Sequence, residues 1–240
     1  MDIAVLGTGI VAKTIAGKLA SLGHTVKLGT RDPKATLARS ENDMMGGPPV
    51  RTWLETQPKV SLVTFAEAAA HGKLVFSALE GRSAVAALEL AGADNLAGKV
   101  VVDITNPLDF SKGMPPSLTV ANTDSLGEQI QRAFPTAKVV KTLNTVNAFL
   151  MVDASLLAGG DHTMFVCGND DGAKAEVTRM LREWFGWKDV VDLGDISNAR
   201  GTEMYVVLWA RMYGAMKPEM NESAPPVCFS PFESSVITST

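Results

Sequence analysis

The first residues whose types and spacing suggest chemistry are Gly7-Thr8-Gly9-Ile10-Val11-Ala12. They follow the G-x-G-x-x-G/A pattern of a turn that cradles a dinucleotide. The first glycine permits a tight turn, the second lets the backbone approach a pyrophosphate, and the small sixth residue keeps a helix close to a sheet. The helix that opens here offers free N–H groups and a partial positive charge to phosphates. A second cluster, Leu28-Gly29-Thr30-Arg31-Asp32-Pro33-Lys34, stands about twenty residues on, where a site selective for NAD carries an acid for the ribose 2′-hydroxyl. Gly29 stands at the position read as the acidic one. Thr30, Arg31 and Lys34 instead supply a hydroxyl, a guanidinium and an ammonium suited to a 2′-phosphate, so the expected cofactor is NADP. Asp32 comes too late for the acidic role and is expected to cap the next helix.

Residues that would move a substrate proton are scarce. Reduction of an alcohol or hydroxy acid needs His, Lys or Tyr for that step. The chain has three histidines, His24, His71 and His162, each at the edge of an expected helix or strand and each explained structurally. No catalytic residue is therefore assigned. Hydride transfer between two stacked rings needs only orientation and proximity. Cys167, within Met164-Phe165-Val166-Cys167, reads as a buried thiol, and Cys228 lies far from it. Neither a disulfide framework nor a metal-ligand spacing is present.

The elements that would position these residues alternate from the start. Strands are expected at 3–6, 25–28, 60–63, 74–78, 100–104 and 138–143, with helices at 11–21, 65–70, 85–90 and 126–134 between them. Residues 32–58 read as irregular, with a loop over 44–49 flanked by weakly helical stretches. After Asn147 come a strand at 163–167, a helix at 172–185, a strand at 190–193 and a last helix from 198 to 216. This is an α/β chain with a Rossmann-type, mostly parallel sheet. The expected organisation is a cofactor-binding domain over 1–145, a small α/β C-terminal region over 146–216 and a disordered Pro-rich tail over 217–240. The last helix is apolar on nearly every face, which suggests burial or a subunit interface.

The 240 residues can bury a sizeable core, and 46% hydrophobic with 20% charged residues describes an ordinary globular protein. A net charge of −4 argues against nucleic acid or an anionic membrane as the main partner. No apolar run is long enough to span a bilayer, and no secretory segment is read, so a cytoplasmic location is expected.

With these blocks in place, the sequence resembles the NADPH-dependent reductases of the deazaflavin coenzyme F-420. The likeness rests on Gly7-Thr8-Gly9, on Leu28-Gly29-Thr30-Arg31 and on the run from Val101 through Asp103-Ile104-Thr105-Asn106-Pro107 to Leu108. It continues through Lys138 to Thr145, Phe165 to Asp171 and Asp192 to Arg200. The resemblance implies a homodimer that transfers a hydride between NADPH and the deazaflavin. By position it implies that Thr8, Ile10 and Val11 meet the pyrophosphate and that Thr30, Arg31 and Lys34 meet the 2′-phosphate. Ala78 and Leu79 would flank the ribose and nicotinamide, and Thr105, Asn106 and Pro107 are further expected cofactor-binding residues. Asn144, Thr145, Val146 and Asn147 would border the second ring. The chain departs from archaeal members at Asn144-Thr145-Val146-Asn147, where they carry a histidine, and at Glu80, where they usually carry proline. A flavin, a ferric chelate or a quinone as the small-molecule acceptor, or an NADP-binding sensor without turnover, are the alternatives that the residues leave open.

Overall fold

The computed structural model describes residues 1–43 and 46–216; the tail expected over 217–240 lies outside the described residues. The chain opens with β1 (Asp2–Leu6), α1 (Ile10–Ser21), β2 (Thr25–Thr30), α2 (Pro33–Ala38) and α3 (Val50–Glu55). Then follow β3 (Val60–Thr64), α4 (Phe65–His71), β4 (Leu74–Ser77), α5 (Ala84–Ala91), α6 (Ala93–Leu96) and β5 (Val100–Asp103). A two-stranded antiparallel ribbon, β6 (Leu108–Asp109) and β7 (Ser117–Leu118), precedes α7 (Leu126–Ala133) and β8 (Lys138–Thr142). The chain continues with α8 (Ala148–Val152), β9 (Thr163–Gly168), α9 (Asp171–Phe185), β10 (Asp189–Asp192) and α10 (Ala199–Met216).

Eight strands form one sheet in the order β10-β9-β8-β5-β4-β1-β2-β3. Every neighbouring pair is parallel except β8 and β9, which run antiparallel. β9 and β10 thus prolong the same sheet in the reverse direction. Strands β4 and β5 are buried along their whole length, as expected of apolar runs covered on both faces. Alternation divides their side chains between two cores. Ile3, Val5, Phe76 and Val102 pack with α1, α8 and α9, while Ala4, Leu6, Val75 and Val101 pack with α4, α5 and α7.

Local signals explain the helix starts. Asp32 accepts from the Ala35 N–H at 3.0 Å, with Pro33 in the first turn of α2. Thr64 and Glu67 form a capping box on α4, and Ser125 and Asp170 cap α7 and α9. The stretch expected to be irregular contains the two short helices α2 and α3, neither long enough to show a full helical period. Strand β8 stops one residue earlier than expected because Leu143 adopts a left-handed conformation with φ 62°. Among the described residues no helix is long and apolar enough to cross a membrane.

Helix α10 is held to α7 by a fork of two hydrogen bonds, Arg200 Nε to Glu128 Oε2 at 2.8 Å and Arg200 Nη2 to Glu128 Oε1 at 2.5 Å. The guanidinium holds the Glu128 carboxyl below its ordinary value of 4.5, against the opposing effect of burial. A depressed folded-state pKa contributes stability that is present above the unfolded value and lost as pH falls through the folded one. Arg200→Ala is expected to lower stability near neutral pH, by little because the pair is solvent-screened. Urea unfolding of both proteins checks this: the gap should narrow and close as pH falls below the ordinary carboxylate range. A gap that persists unchanged in acid would mean that Arg200 acts by packing alone.

Candidate functional site

The site begins where the carboxyl ends of β1, β2 and β4 meet. The Gly7 N–H donates to the Gly29 carbonyl at 3.0 Å, and the Ala78 N–H donates to the Leu6 carbonyl at 2.9 Å. Gly7 has φ +121°, and a Cβ there would lie 2.3 Å from the Ala78 carbonyl oxygen. Both conformation and space therefore demand glycine. Gly9 is the opposite case: a Cβ there would meet nothing within 4 Å. The open space fronts the start of α1, whose first turn no side chain caps. Its orphan N–H groups and the helix dipole make this an anion-binding end. The residues present therefore fit a dinucleotide pyrophosphate.

Two cavities meet along this cradle. The first, about 710 Å³, is lined by Gly7 through Val11, by Thr30, Arg31, Asp32, Thr36 and Arg39, and by Ala78 through Glu80. The second, about 450 Å³, shares Ile10, Val11, Ala78, Leu79 and Glu80 with the first. Its far wall is Ile104 through Asn106, Leu108, Phe110, Asn144 through Phe149, Met151, Val206 and Trp209. Both lie at the carboxyl ends of the parallel strands, on either side of the point where strand order reverses.

At the end of β2 the side chains divide in a way that sequence alone concealed. A Cβ on Gly29 would lie 2.8 Å from Leu6 Cδ2 and 3.0 Å from Ala68 Cβ. Position 29 therefore faces the core under α4, and its lack of an acid reflects packing rather than cofactor choice. Thr30 and Arg31 are the residues that reach the cavity. Thr30 Oγ1 bonds Thr36 Oγ1 at 2.8 Å, while Arg31 is exposed. Lys34 is exposed on α2 and does not line the cavity, contrary to expectation; Arg39, just past the end of α2, does. Arg31 and Arg39 form no salt bridge among the described residues. Nothing in the sequence pointed to Arg39, because α2, which folds it back toward β2, lay in the stretch read as irregular.

On the far wall, Asn106 and Asn144 bond reciprocally: Asn106 Nδ2 donates to the Asn144 carbonyl at 2.9 Å, and Asn144 Nδ2 to Asn106 Oδ1 at 3.0 Å. The left-handed Leu143 turns β8 into this segment, a backbone strain of about 1–3 kcal/mol. Asn147 caps α8, accepting from the Phe149 and Leu150 N–H groups at 3.0 and 3.1 Å. Pro107 does not line the cavity. It is buried, and a Cβ on Gly81 would lie 3.0 Å from the Pro107 Cα. Phe110, Phe149, Val206 and Trp209 are wall residues that no sequence motif marked.

Glu80 is the only ionisable side chain on the wall of the second cavity among the described residues, and its carboxylate accepts from Ser83 Oγ at 3.1 Å. Beneath the wall lies a buried charge cluster. Lys141 Nζ is 2.9 Å from Asp103 Oδ2 and 2.7 Å from Glu203 Oε1. Burial disfavours its charged form, but the two carboxylates outweigh that and hold its pKa above the ordinary lysine value.

The three histidines lie outside both cavities. His24 Nδ1 is 3.2 Å from the amino terminus and its ring packs on Trp184. His71 Nε2 is 3.3 Å from the Thr25 carbonyl. His162 Nε2 is 2.8 Å from the Ala154 carbonyl, with its ring edge-on to Trp187. Burial pushes the Cys167 thiol up to about 12, so it is no nucleophile at neutral pH.

A phosphate cradle on a Rossmann sheet, opening into an apolar cavity, defines an NADP-dependent oxidoreductase, and known proteins agree. Residues 2–107 match the family described as NADP oxidoreductase coenzyme F420-dependent. A crystal structure from Arthrobacter sp. FB24, assigned as an F420-dependent NADP-reductase, is 61% identical with a TM-score of 0.85; the match covers 90% of this chain and 95% of that one. The metalloreductase STEAP3 of Rattus norvegicus is 29% identical over 207 residues, which is 84% of this chain and 35% of that protein. The chain thus spans about a third of the length of the curated relatives it matches. A reductive aminase from Aspergillus terreus, in complex with NADPH and ethyl levulinate, shares the fold at 17% identity and TM-score 0.60, over 90% of this chain and 62% of that one. The chain belongs to the coenzyme F420-dependent NADP oxidoreductase family.

Proposed function

We propose that the protein transfers a hydride between NADPH and the deazaflavin coenzyme F-420, held in the second cavity. The observation that carries this reading is the shared wall: Ile10, Val11, Ala78 and Leu79 border the phosphate cradle and the apolar cavity at once. A cavity of about 450 Å³ falls in the range of small-molecule sites. When bound, the cofactor supplies a hydride from its nicotinamide. The chain's own residues bind and orient. Thr8 and the first-turn N–H groups of Ile10 and Val11 hold the pyrophosphate. Thr30 and Arg31 hold the 2′-phosphate, with Arg39 in the place expected of Lys34. Ala78, Leu79, Thr105 and Asn106 border the ribose and nicotinamide, and the apolar wall with Asn144 through Asn147 excludes water from the second ring. In this reading residues 1–145 bind the cofactor and 146–216 complete the acceptor pocket, in a cytoplasmic enzyme. A neutral flavin or quinone ring is the second reading, favoured by Glu80 as the sole ionisable group on the wall among the described residues.

Rapid mixing of the protein and NADPH with oxidised F-420, FMN, FAD, a quinone and ferric chelates tests the acceptor. F-420 should bleach fastest. Preferential turnover of another acceptor would replace the proposal with that one.

Loss of one charge-assisted contact to the 2′-phosphate costs on the order of 1.5–3 kcal/mol. Arg31→Ala and Arg39→Ala should each weaken NADPH binding about tenfold or more, with NADH hardly affected, and Lys34→Ala should change neither by more than about twofold. Fluorescence titration reads both constants. Equal losses for the two cofactors would assign the arginines a structural role, and a tenfold loss at Lys34 would restore it to the site.

The same reading makes the protein a twofold homodimer built on α10. Met204 and Leu208, one turn apart, are 40% and 55% exposed, with Arg211 exposed beside them. Leu208→Asp should convert a dimer to a monomer in sedimentation. A wild-type protein that sediments as a monomer at micromolar concentration would remove the dimer from the reading.

A further inference from the structure

Lys141 is a charged residue in the middle of an apolar strand, and its side chain has no exposure. An ammonium has three N–H donors, and all three are used. They go to Asp103 Oδ2, to Glu203 Oε1 and to the Thr105 carbonyl. The partners lie on two separate pieces of chain: the end of β5 with the loop that leaves it, and the first turns of α10. Each partner is tied further. Asp103 Oδ1 accepts from the Thr105 N–H at 3.1 Å and from Thr105 Oγ1 at 2.7 Å. Glu203 accepts from the Leu126 and Gly127 N–H groups at 2.8 and 3.0 Å, at the positive end of α7. That helix end offsets the second carboxylate, which one ammonium cannot neutralise.

Both branches lead to the second cavity. Beyond Thr105 is Asn106, bonded to Asn144 on the wall. Beyond Glu203, three and six residues along α10, are Val206 and Trp209, also on the wall. None of the three charged residues reaches the cavity itself, and none belongs to the phosphate cradle. A buried ion cluster is weak as a source of stability, since well-packed apolar residues often do as well. Its particular contribution is directional: it fixes which groups face each other.

We propose that Lys141, with Asp103 and Glu203, is the positioning cluster of the acceptor cavity, locking the Thr105–Asn106 wall to the α10 wall. The cluster sets the distance between two walls and leaves the cofactor cradle on β1, α1 and β2 alone. The assignment of the acceptor to this cavity rests on the function proposed above; the locking of the walls does not.

Glu203→Gln keeps the shape and one accepting oxygen while removing the charge. Lys141→Met removes the ammonium, and serves as the second variant if folded. The expected result is a split. Acceptor kcat/KM should fall about tenfold or more, while the dissociation constant of 2′,5′-ADP, which carries no nicotinamide and reaches only the β1, α1 and β2 cradle, stays within about twofold of wild type. In parallel, hydrogen exchange at Thr105 and Asn106 and in the first turn of α7 should quicken about tenfold, with β1, α1 and β2 unchanged. Loosening of 2′,5′-ADP binding by the same factor as acceptor turnover would mark general destabilisation and overturn the proposal. So would unchanged acceptor kinetics. If the wild-type protein turns over no acceptor, the functional reading fails and the exchange arm decides alone: protection of Thr105 and Asn106 that survives Glu203→Gln would overturn the locking as well.

Discussion

The approach of Gly7 to the Ala78 carbonyl is the constraint on which the rest of the site depends. With no side chain at Gly7, the ends of β1 and β4 come together closely enough for one turn to serve two cavities. A methyl group there would collide with backbone, which has no rotamer to offer. The start of α1, the edge of β2 and the loop after β4 all take their places from this contact. Ala12 continues it, packing with no exposure between the helix and the sheet.

The two cavities differ in how they would treat charge. The one along β2 presents two exposed guanidiniums and the uncapped start of a helix, in a protein whose net charge is −4. Its cations are a local concentration against the overall field. The other is walled by Ile, Val, Leu, Phe, Met and Trp side chains with amide groups among them, and carries one carboxylate at its mouth. A molecule anionic at one end and apolar at the other is oriented by that contrast before any specific contact forms.

Legibility from sequence followed the range of the interactions. The β1 turn was readable because its requirements are local, with glycine, glycine and alanine at fixed spacing in six residues. The sheet strands were readable because burial on both faces leaves unbroken apolar runs. The end of β2 was read correctly in outcome but for an incorrect reason at Gly29. Its neighbours Leu6 and Ala68 are remote in sequence, so a packing glycine looked like a missing acid. Arg39 rather than Lys34 lines the cavity, which the sequence hid because α2 is six residues long, too short to show a period. Val206 and Trp209 were visible as apolar residues of α10. Their facing Asn106 and Asn144 depends on contacts between positions up to roughly a hundred residues apart, which no local pattern encodes.

The reversal of direction between β8 and β9 bears on how such a chain can diversify. Most of the cradle is written in one stretch, from β1 to Arg39, with Ala78 through Glu80 added after β4, whereas the opposite wall is assembled from segments after β5, after β8 and in α10. Because β9 and β10 run the other way, their carboxyl ends lie at the opposite end of the strands from the cleft. New insertions there leave the cleft untouched, and substitutions along the dispersed wall leave the cradle untouched. A lineage can therefore change what lines the second cavity while inheriting the cradle intact, which is a physical route to diversity on one scaffold.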